Sequence, residues 1–221
     1  MFAKDMIDNA ITPIKLSDNC LQIITWMEES KVAQLPVVEE QSYYGLISER
    51  EIYNLQEPDI EVREVLNRLR NVAVHKTQYF TDVLYYFVNE KLTVLPVLDR
   101  QTNYAGVITN QSLIRSLAEI NGISHPGSII VLEVHQTDYM LSQIGQIAEM
   151  NDVKILNLFT RPHKDSMLMD VILKTNSEKI DSIIGTFERY EYSVKTTFSK
   201  KDIEWEELKE NYDYMMNYLN I

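Results

Sequence analysis

Short apolar runs separated by polar residues dominate the first half of the chain, and one arrangement of these runs occurs twice. In the first copy, Leu35–Val38 is apolar, Glu39–Ser42 is polar and Tyr44–Ile47 is mostly apolar again. Ser48 follows, and serine favours the start of a helix. The pattern predicts a buried strand, a turn, a returning strand and then a helix.

The second copy stands 60 residues later, where Leu95 takes the place of Leu35. After the turn, Gly106 stands 61 residues beyond Gly45, and one residue inserted in the turn explains the difference in spacing. Thr109 then takes the place of the serine. We therefore predict two repeats of one structural unit, which span residues 1–60 and 61–123.

A segment with apolar residues at helical spacing precedes each strand pair. In the first repeat this segment follows Asp18, which we expect to cap the helix, and it ends near Ser30. In the second repeat it covers Asp82–Lys91. Helices and strand pairs combined in this way predict an α/β protein of the α+β kind.

The pattern changes after Asn121–Gly127, a linker in which glycine and proline interrupt helix and strand alike. The order that follows is βαββαβ, which predicts a ferredoxin-like antiparallel sheet with two helices on one face, over residues 128–200. The predicted elements are the strand Ile129–Val134, the helix Asp138–Met150, the strands Val153–Thr160 and Met167–Leu173, a helix capped by Ser177, and the strand Tyr192–Phe198.

The end of the chain, residues 201–221, has apolar residues separated by three and four positions, which predicts an amphipathic helix with one apolar seam. The seam consists of Trp205, Leu208, Tyr212, Met215 and Leu219. Such a helix either packs against its own domain or pairs across a subunit interface.

Charge and hydropathy narrow the possible partners. Among 221 residues, 21 Lys and Arg stand against 33 Asp and Glu, so the formal net charge is −12 and we expect no nucleic-acid partner. The chain has no apolar run of the length that spans a membrane, and its N-terminus lacks the pattern of a signal peptide. We therefore expect a cytoplasmic protein.

Residues suited to catalysis or metal binding are sparse. Cys20 has no histidine near it in the sequence, so we expect it to be buried and structural. The four histidines lack the spacing of metal ligands, which predicts no metal site. The sequence also lacks a glycine-rich phosphate loop and a nucleophile elbow. We expect no catalytic residues and no enzymatic activity.

The doubled Leu-Pro-Val strand, with the Gly-apolar-apolar-Ser/Thr turn that follows it, resembles the cystathionine-β-synthase (CBS) domain. Units of this family pair in tandem as a Bateman module, and the resemblance covers residues 1–123. It implies a regulatory homodimer whose clefts between the paired repeats bind an adenosine nucleotide or a related compound. The ligands implied are ATP, ADP, AMP or S-adenosylmethionine.

In CBS domains a Ser/Thr-x-x-Asp turn at a helix start holds phosphate and ribose. By position, the resemblance places this role on Ser48, Glu51, Thr109 and Ser112. Neither copy has the aspartate, and Ser48 with Glu51 is also an ordinary capping box, so the pair either binds a ligand or only caps a helix. The adenine slot would be lined by Thr12, Pro13 and Ile14.

The βαββαβ order, together with the Asp138–Ile144 run, resembles the ACT domain, a family of small regulatory units that bind amino acids. Amino-acid-binding ACT domains usually have a glycine in the turn between the first strand and the first helix. The corresponding turn here, His135–Met140, has none. A CBS pair followed by an ACT-like unit looks like the architecture of the acetoin-utilisation regulatory proteins.

Together these resemblances imply a cytosolic regulatory protein that acts on another protein. The CBS pair would sense an adenine-containing metabolite, and the ACT-like domain would relay the signal or add a second input. The alternative is a dimerisation or scaffold module that binds no ligand.

Overall fold

A computed structural model describes residues 1–199 of the chain. The chain divides into two compact units, the first of which ends at Leu117 while the second begins at Ala118. The helix predicted for residues 201–221 lies outside the described residues.

The first unit contains both repeats. The first repeat has the helix α1 (Cys20–Ser30), the strands β1 (Gln34–Glu39) and β2 (Ser42–Ser48), and the short helix α2 (Glu49–Tyr53). The second repeat has β3 (Val74–His75), α3 (Phe80–Glu90), β4 (Val94–Leu98), β5 (Tyr104–Thr109) and α4 (Asn110–Ile120), whose last residues, from Ala118 on, fall in the second unit. Short 3-10 helices lie at Ala3–Met6 and Val62–Arg68.

The two repeats pair their strands in the same way. β1 pairs with β2 and β4 pairs with β5, both antiparallel and with a bulge after Val37 and after Val97. A parallel contact precedes each pair, because Ile14 lies beside Val37 and Val74 of β3 lies beside Val97. The predicted order of strand, turn and returning strand is therefore confirmed in both copies.

The segment that leads into each repeat crosses over to the other repeat. The amide of Asp8 donates to the carbonyl of Val107 in β5 at 2.7 Å. In the same manner, Arg70 and Leu46 of β2 exchange two backbone hydrogen bonds of 2.9 and 2.8 Å. The first strand pair is therefore extended by the chain that leads into the second repeat, and the second pair by the start of the chain.

A glycine lies under each crossing. A Cβ added to Gly45 would lie 2.8 Å from the Cβ of Leu69, and one added to Gly106 would lie 2.6 Å from Cγ2 of Ile7. The backbone φ angles at the two glycines are +147° and +137°, which side-chain-bearing residues rarely adopt. The glycine in each copy of the repeat is therefore required by the close approach of the crossing segment.

The hydrophobic cores follow the same exchange. Ala3 and Met6, from the start of the chain, are buried in the core built mainly from the second repeat. Val62 and Val65, from the start of the second repeat, are buried in the core of the first repeat. Neither repeat completes its core with its own residues alone.

The second unit contains β6 (Ile129–His135), α5 (Leu141–Met150), β7 (Ile155–Pro162), β8 (Leu168–Thr175), α6 (Asp181–Arg189) and β9 (Ser193–Phe198). Its sheet is antiparallel, with the strand order β7–β8–β6–β9. Both helices pack on one face, where the buried residues include Ile130, Leu132, Val171, Leu173, Ile144, Ile147, Ile183 and Phe187. The predicted ferredoxin-like βαββαβ arrangement is confirmed.

Two predicted helix caps, Asp18 and Ser177, are wrong. The side chain of Asn19 caps α1, while Asp18 accepts a hydrogen bond from the amide of Lys15 at 2.7 Å in the turn before the helix. Ser177 accepts from the amide of Lys179 at 3.2 Å, and α6 begins only after that turn. In both cases the polar side chain closes a local turn, which competes with capping for the same acceptor oxygen.

The sheet face opposite the helices carries a buried carboxylate. Asp170 of β8 is 0% exposed, and it accepts hydrogen bonds from the guanidinium of Arg161 in β7 and from Nζ of Lys195 in β9. Nε2 of His163 lies 2.9 Å from the same carboxylate, and Lys195 also donates to Glu133 of β6 at 3.1 Å. Hydrogen bonds from Arg161, and then from Lys195 and His163, hold the pKa of Asp170 far below its ordinary value.

We expect Gly45→Ala and Gly106→Ala each to lower the free energy of unfolding by about 2 kcal/mol or more, because each adds an unfavourable φ and a steric overlap. The control is Gly185→Ala in α6, where nothing lies within 4 Å of an added Cβ. That change should be neutral or stabilising by about 0.5–1 kcal/mol. Urea unfolding followed by circular dichroism measures all three, and wild-type stability of both strand variants would contradict the crossing.

We expect Asp170→Asn to lower the melting temperature at pH 7. Because folding depresses the pKa of Asp170, its ionised form contributes stability that is fully present above the unfolded pKa of about 4 and is lost as the pH falls further. The difference from wild type should therefore shrink below about pH 4. Asp165→Asn, which changes an exposed carboxylate between β7 and β8, is the matched control and should melt like wild type. If the difference in melting temperature between wild type and Asp170→Asn stayed constant from pH 7 to pH 3, the lost stability would come from packing and not from the charge of Asp170.

Candidate functional site

The start of α2 is built by Ser48 and Glu51. The Ser48 hydroxyl accepts a hydrogen bond from the Glu51 amide at 3.3 Å, and Oε2 of Glu51 accepts from both the amide and the hydroxyl of Ser48 at 2.8 Å. This is a complete capping box. The capping alternative is therefore present in the structure, and a ligand role for the pair stays a prediction.

The start of α4 is built differently. The Thr109 hydroxyl accepts from the Ser112 amide at 3.1 Å, while the Ser112 hydroxyl accepts from the Thr109 amide at 3.0 Å and donates to the Thr109 carbonyl at 3.1 Å. Both residues are buried. The Ser112 hydroxyl is thus used inside the cap, and its ligand role stays a prediction.

Thr109 has one further partner that sequence reasoning missed. Its hydroxyl donates to Oδ2 of Asp8 at 2.9 Å. The crossing that pairs Asp8 with Val107 brings this carboxylate to the start of α4, although 101 residues separate it from Thr109. No local pattern in the sequence connects two positions so far apart.

A cleft of about 480 Å³ lies along the segment that leads into the first repeat. Its lining includes Thr12, Pro13, Ile14, Lys15, Asp18 and Trp26. The backbone of Ile14 is held in place, because its amide donates to Pro36 at 2.9 Å and its carbonyl accepts from Val38 at 2.8 Å. The Ile14 side chain is buried in the core, so Ile14 offers the cleft mainly backbone.

Trp26 is the second feature of this cleft that the sequence did not assign. In the sequence, Trp26 is one of the apolar residues of the helical segment that follows Asp18. In the structure its side chain is half-buried and lines the cleft with the predicted residues Thr12 and Pro13. Aromatic rings of this kind can stack on nucleobases.

A second cleft, of about 500 Å³, adjoins the first, because both are lined by Ala10, Glu29 and Ser30. Its other lining residues include Asp8, Ile11, Lys31, Thr93 and Thr109. Thr12, Pro13, Ile14 and Thr109 thus lie along one continuous stretch of surface. The predicted residues Ser48, Glu51 and Ser112 are not among those that line either cleft.

The two clefts carry more negative than positive charge. Asp8, Asp18 and Glu29 contribute carboxylates, and Lys15 and Lys31 contribute ammonium groups. Both clefts have the volume of small-molecule sites. Their charge suits a ligand that is not strongly anionic.

The turn between β6 and α5 borders a third cleft, of about 400 Å³, in the second unit. α5 begins at Leu141, three residues later than predicted, because the amide of Asp138 donates to the carbonyl of His135 at 2.9 Å and closes a separate turn. The hydroxyl of Tyr192 donates to Gln143 at 2.7 Å in the wall of this cleft.

The buried Asp170 network does not suit a metal ion. Ligand atoms of Glu133, His163 and Asp170 lie within 4.8 Å of one another. However, the ammonium of Lys195 already bonds to both carboxylates, at 3.1 and 3.0 Å, and a cation there would meet like charge.

Cys20 is fully buried at the first turn of α1, as predicted. Burial, and then the charge of Glu64, raises the pKa of its thiol. A reactive thiolate is therefore disfavoured at this position.

No protein-family model matches the chain. Among solved structures, a CBS domain pair/ACT domain protein from Thermotoga maritima is similar to 54% of this chain over 98% of its own, with 18% identity and a TM-score of 0.48. A CBS domain-containing protein of unknown function from Bacillus anthracis is similar to 54% of this chain over 94% of its own, with 15% identity and a TM-score of 0.43. CBSX2 in complex with AMP is similar to 54% of this chain over 98% of its own, with 17% identity and a TM-score of 0.44. Within residues 1–199, no helix combines the length and apolar character needed to cross a membrane.

We expect Glu51→Ala to lower the free energy of unfolding by about 1 kcal/mol, because it removes one half of the capping box. Glu51→Gln keeps an acceptor oxygen at the same place and should stay within about 0.5 kcal/mol of wild type. Chemical denaturation of the two variants measures the difference. Equal stability of the alanine and glutamine variants would show that the capping box contributes nothing measurable.

Proposed function

We propose that the first unit is a CBS pair that senses an adenine-containing metabolite, and that the second unit is an ACT-like domain that relays the signal or adds a second input. The pair of adjoining clefts beside residues 8–15 carries this proposal, because an aromatic ring, fixed backbone groups and a helix start meet there. The candidate ligands are ATP, ADP, AMP and S-adenosylmethionine.

The residues of the first cleft support binding of a purine base. The indole of Trp26 supplies a stacking surface, and Thr12 supplies an exposed hydroxyl. Two backbone hydrogen bonds join Ile14 to β1 and hold this part of the cleft wall in place. Ligand binding therefore costs little conformational entropy at this position. The cleft is therefore largely formed before a ligand enters.

The crossing of the two repeats supplies a mechanism for regulation. The segment that lines both clefts is also the segment that pairs with β5. A ligand that prefers one arrangement of this segment would shift the population of the whole first unit toward that arrangement. We propose that a cytoplasmic homodimer transmits this shift to a protein target.

A second candidate function is a dimerisation or scaffold module without a ligand. It is favoured by the two helix starts, where Glu51 and Ser112 already use their side chains inside the caps. The two proposals differ in whether any adenine compound binds.

We expect ligand binding to quench the fluorescence of Trp26. The chain has two tryptophans, so Trp205→Phe leaves Trp26 as the only reporter. Titration of this variant with the four candidate ligands should give a saturable signal for at least one of them. Trp26→Ala should then lower the affinity for that ligand, measured by calorimetry, about tenfold or more, because it removes base stacking.

The control for this titration is Tyr85→Ala, which changes an exposed aromatic residue of α3 that lines neither cleft and should leave the affinity unchanged. Absence of any response at millimolar concentration of all four ligands would contradict sensing. Light scattering that shows a dimer under the same conditions would then favour the scaffold.

A further inference from the structure

Asp8 has acceptor capacity that the protein leaves unused. The carboxylate is half-buried in the wall of the second cleft. Oδ2 accepts from the Thr109 hydroxyl at 2.9 Å and Oδ1 accepts from the Ala10 amide at 3.0 Å. Because each carboxylate oxygen has about two acceptor positions, one position remains on each oxygen. Among residues 1–199, no lysine, arginine or histidine forms an ion pair with Asp8.

The helix start beside Asp8 has few donors left for a phosphate. The Thr109 hydroxyl gives its proton to Asp8, the Asn110 amide donates to the carbonyl of Thr93 at 3.1 Å, and the Ser112 amide donates to Thr109. A phosphate placed at this helix start would lie close to the negative charge of Asp8. The usual attraction between a helix N-terminus and an anion is therefore opposed at this position.

Two free acceptor positions on adjacent oxygens match the two neighbouring hydroxyls of a ribose. We propose that Asp8 binds the ribose diol of the ligand, and that the clefts select an adenine nucleoside with a neutral or cationic 5′ substituent over one that carries a di- or triphosphate. This inference rests on the proposed function. Asp8 would then supply the ribose-binding carboxylate of the second repeat, in which Ser112 occupies the position of the aspartate in the Ser/Thr-x-x-Asp turn.

The net charge of the clefts supports the same selection. Glu29 lines both clefts, Asp18 lines the first and Asp8 lines the second. These three carboxylates outnumber the two ammonium groups, those of Lys15 and Lys31. A sulfonium group would reduce the unfavourable charge, whereas each added phosphate would increase it. Adenosine and S-adenosylmethionine are therefore preferred over ATP.

Calorimetry on the full chain tests the diol contact with adenosine and 2′,3′-dideoxyadenosine as probes. Wild type should bind adenosine at least about tenfold more tightly than 2′,3′-dideoxyadenosine, because the dideoxy probe cannot form the hydrogen bonds to the charged carboxylate. In Asp8→Ala the ratio should fall to near one. Asp8→Asn keeps one acceptor oxygen for Thr109 and loses only the acceptor of the Ala10 amide, so it should lower the ratio while lowering the melting temperature less than Asp8→Ala does.

Calorimetry with ATP and S-adenosylmethionine tests the charge selection. Wild type should bind S-adenosylmethionine at least about tenfold more tightly than ATP, and Asp8→Asn should narrow this gap because it removes one negative charge. Glu29→Gln should also narrow this gap but should keep the preference for the diol. Glu28→Gln, an exposed change of equal charge on α1 that lines neither cleft, should change no affinity by more than about twofold.

The outcomes separate this inference from the proposed function. The role of Asp8 would be overturned if wild type bound adenosine and 2′,3′-dideoxyadenosine with equal affinity, or if it bound ATP more tightly than S-adenosylmethionine. Either result would leave adenine sensing intact. Failure of all four probes, and of ADP and AMP, to bind wild type at millimolar concentration would overturn both.

Discussion

Two backbone crossings hold the first unit together. Asp8 pairs with Val107 and Arg70 pairs with Leu46, so each repeat uses chain that belongs to the other to extend its strand pair. Gly45 and Gly106 make the crossings possible, since any side chain there would collide with Leu69 or Ile7. The glycine of each copy therefore serves the contact between the copies more than the turn in which it stands.

The candidate site is a direct consequence of these crossings. The segment that runs from Asp8 to Lys15 pairs with β5 at one end and with β1 at the other, and both clefts lie along it. It carries Asp8 to the start of α4 and places Thr12 near Trp26. A change in how this segment pairs would alter the clefts and the cores of both repeats together.

Two carboxylates illustrate how surroundings decide between a structural role and a binding role. Asp170 is saturated by Arg161, Lys195 and His163, of which Arg161 lies in β7 and Lys195 in β9, and it has no capacity left for a ligand. Asp8 has two neutral donors and faces a cleft. Asp170 therefore stabilises the sheet, whereas Asp8 is suited to bind a ligand.

The sequence by itself determined the features that repeat at short range. The strand, turn and helix order of both repeats and the βαββαβ order of the second unit follow from side-chain periodicity, which each segment carries alone. Local caps do not follow from the sequence in the same way, because a polar side chain such as Asp18 or Ser177 can close a turn instead of capping a helix. Ser48 with Glu51 was recognised as a capping box, yet the sequence left its role open.

Only the tertiary structure decided which distant residues meet. Asp8 and Thr109 are 101 positions apart, and their hydrogen bond exists because the start of the chain crosses to the second repeat. Trp26 belongs to an apolar stripe in the sequence, and only packing shows that its ring borders a cleft. Local periodicity reports which face of an element is buried, whereas the partners of that face depend on contacts between segments that share no local pattern.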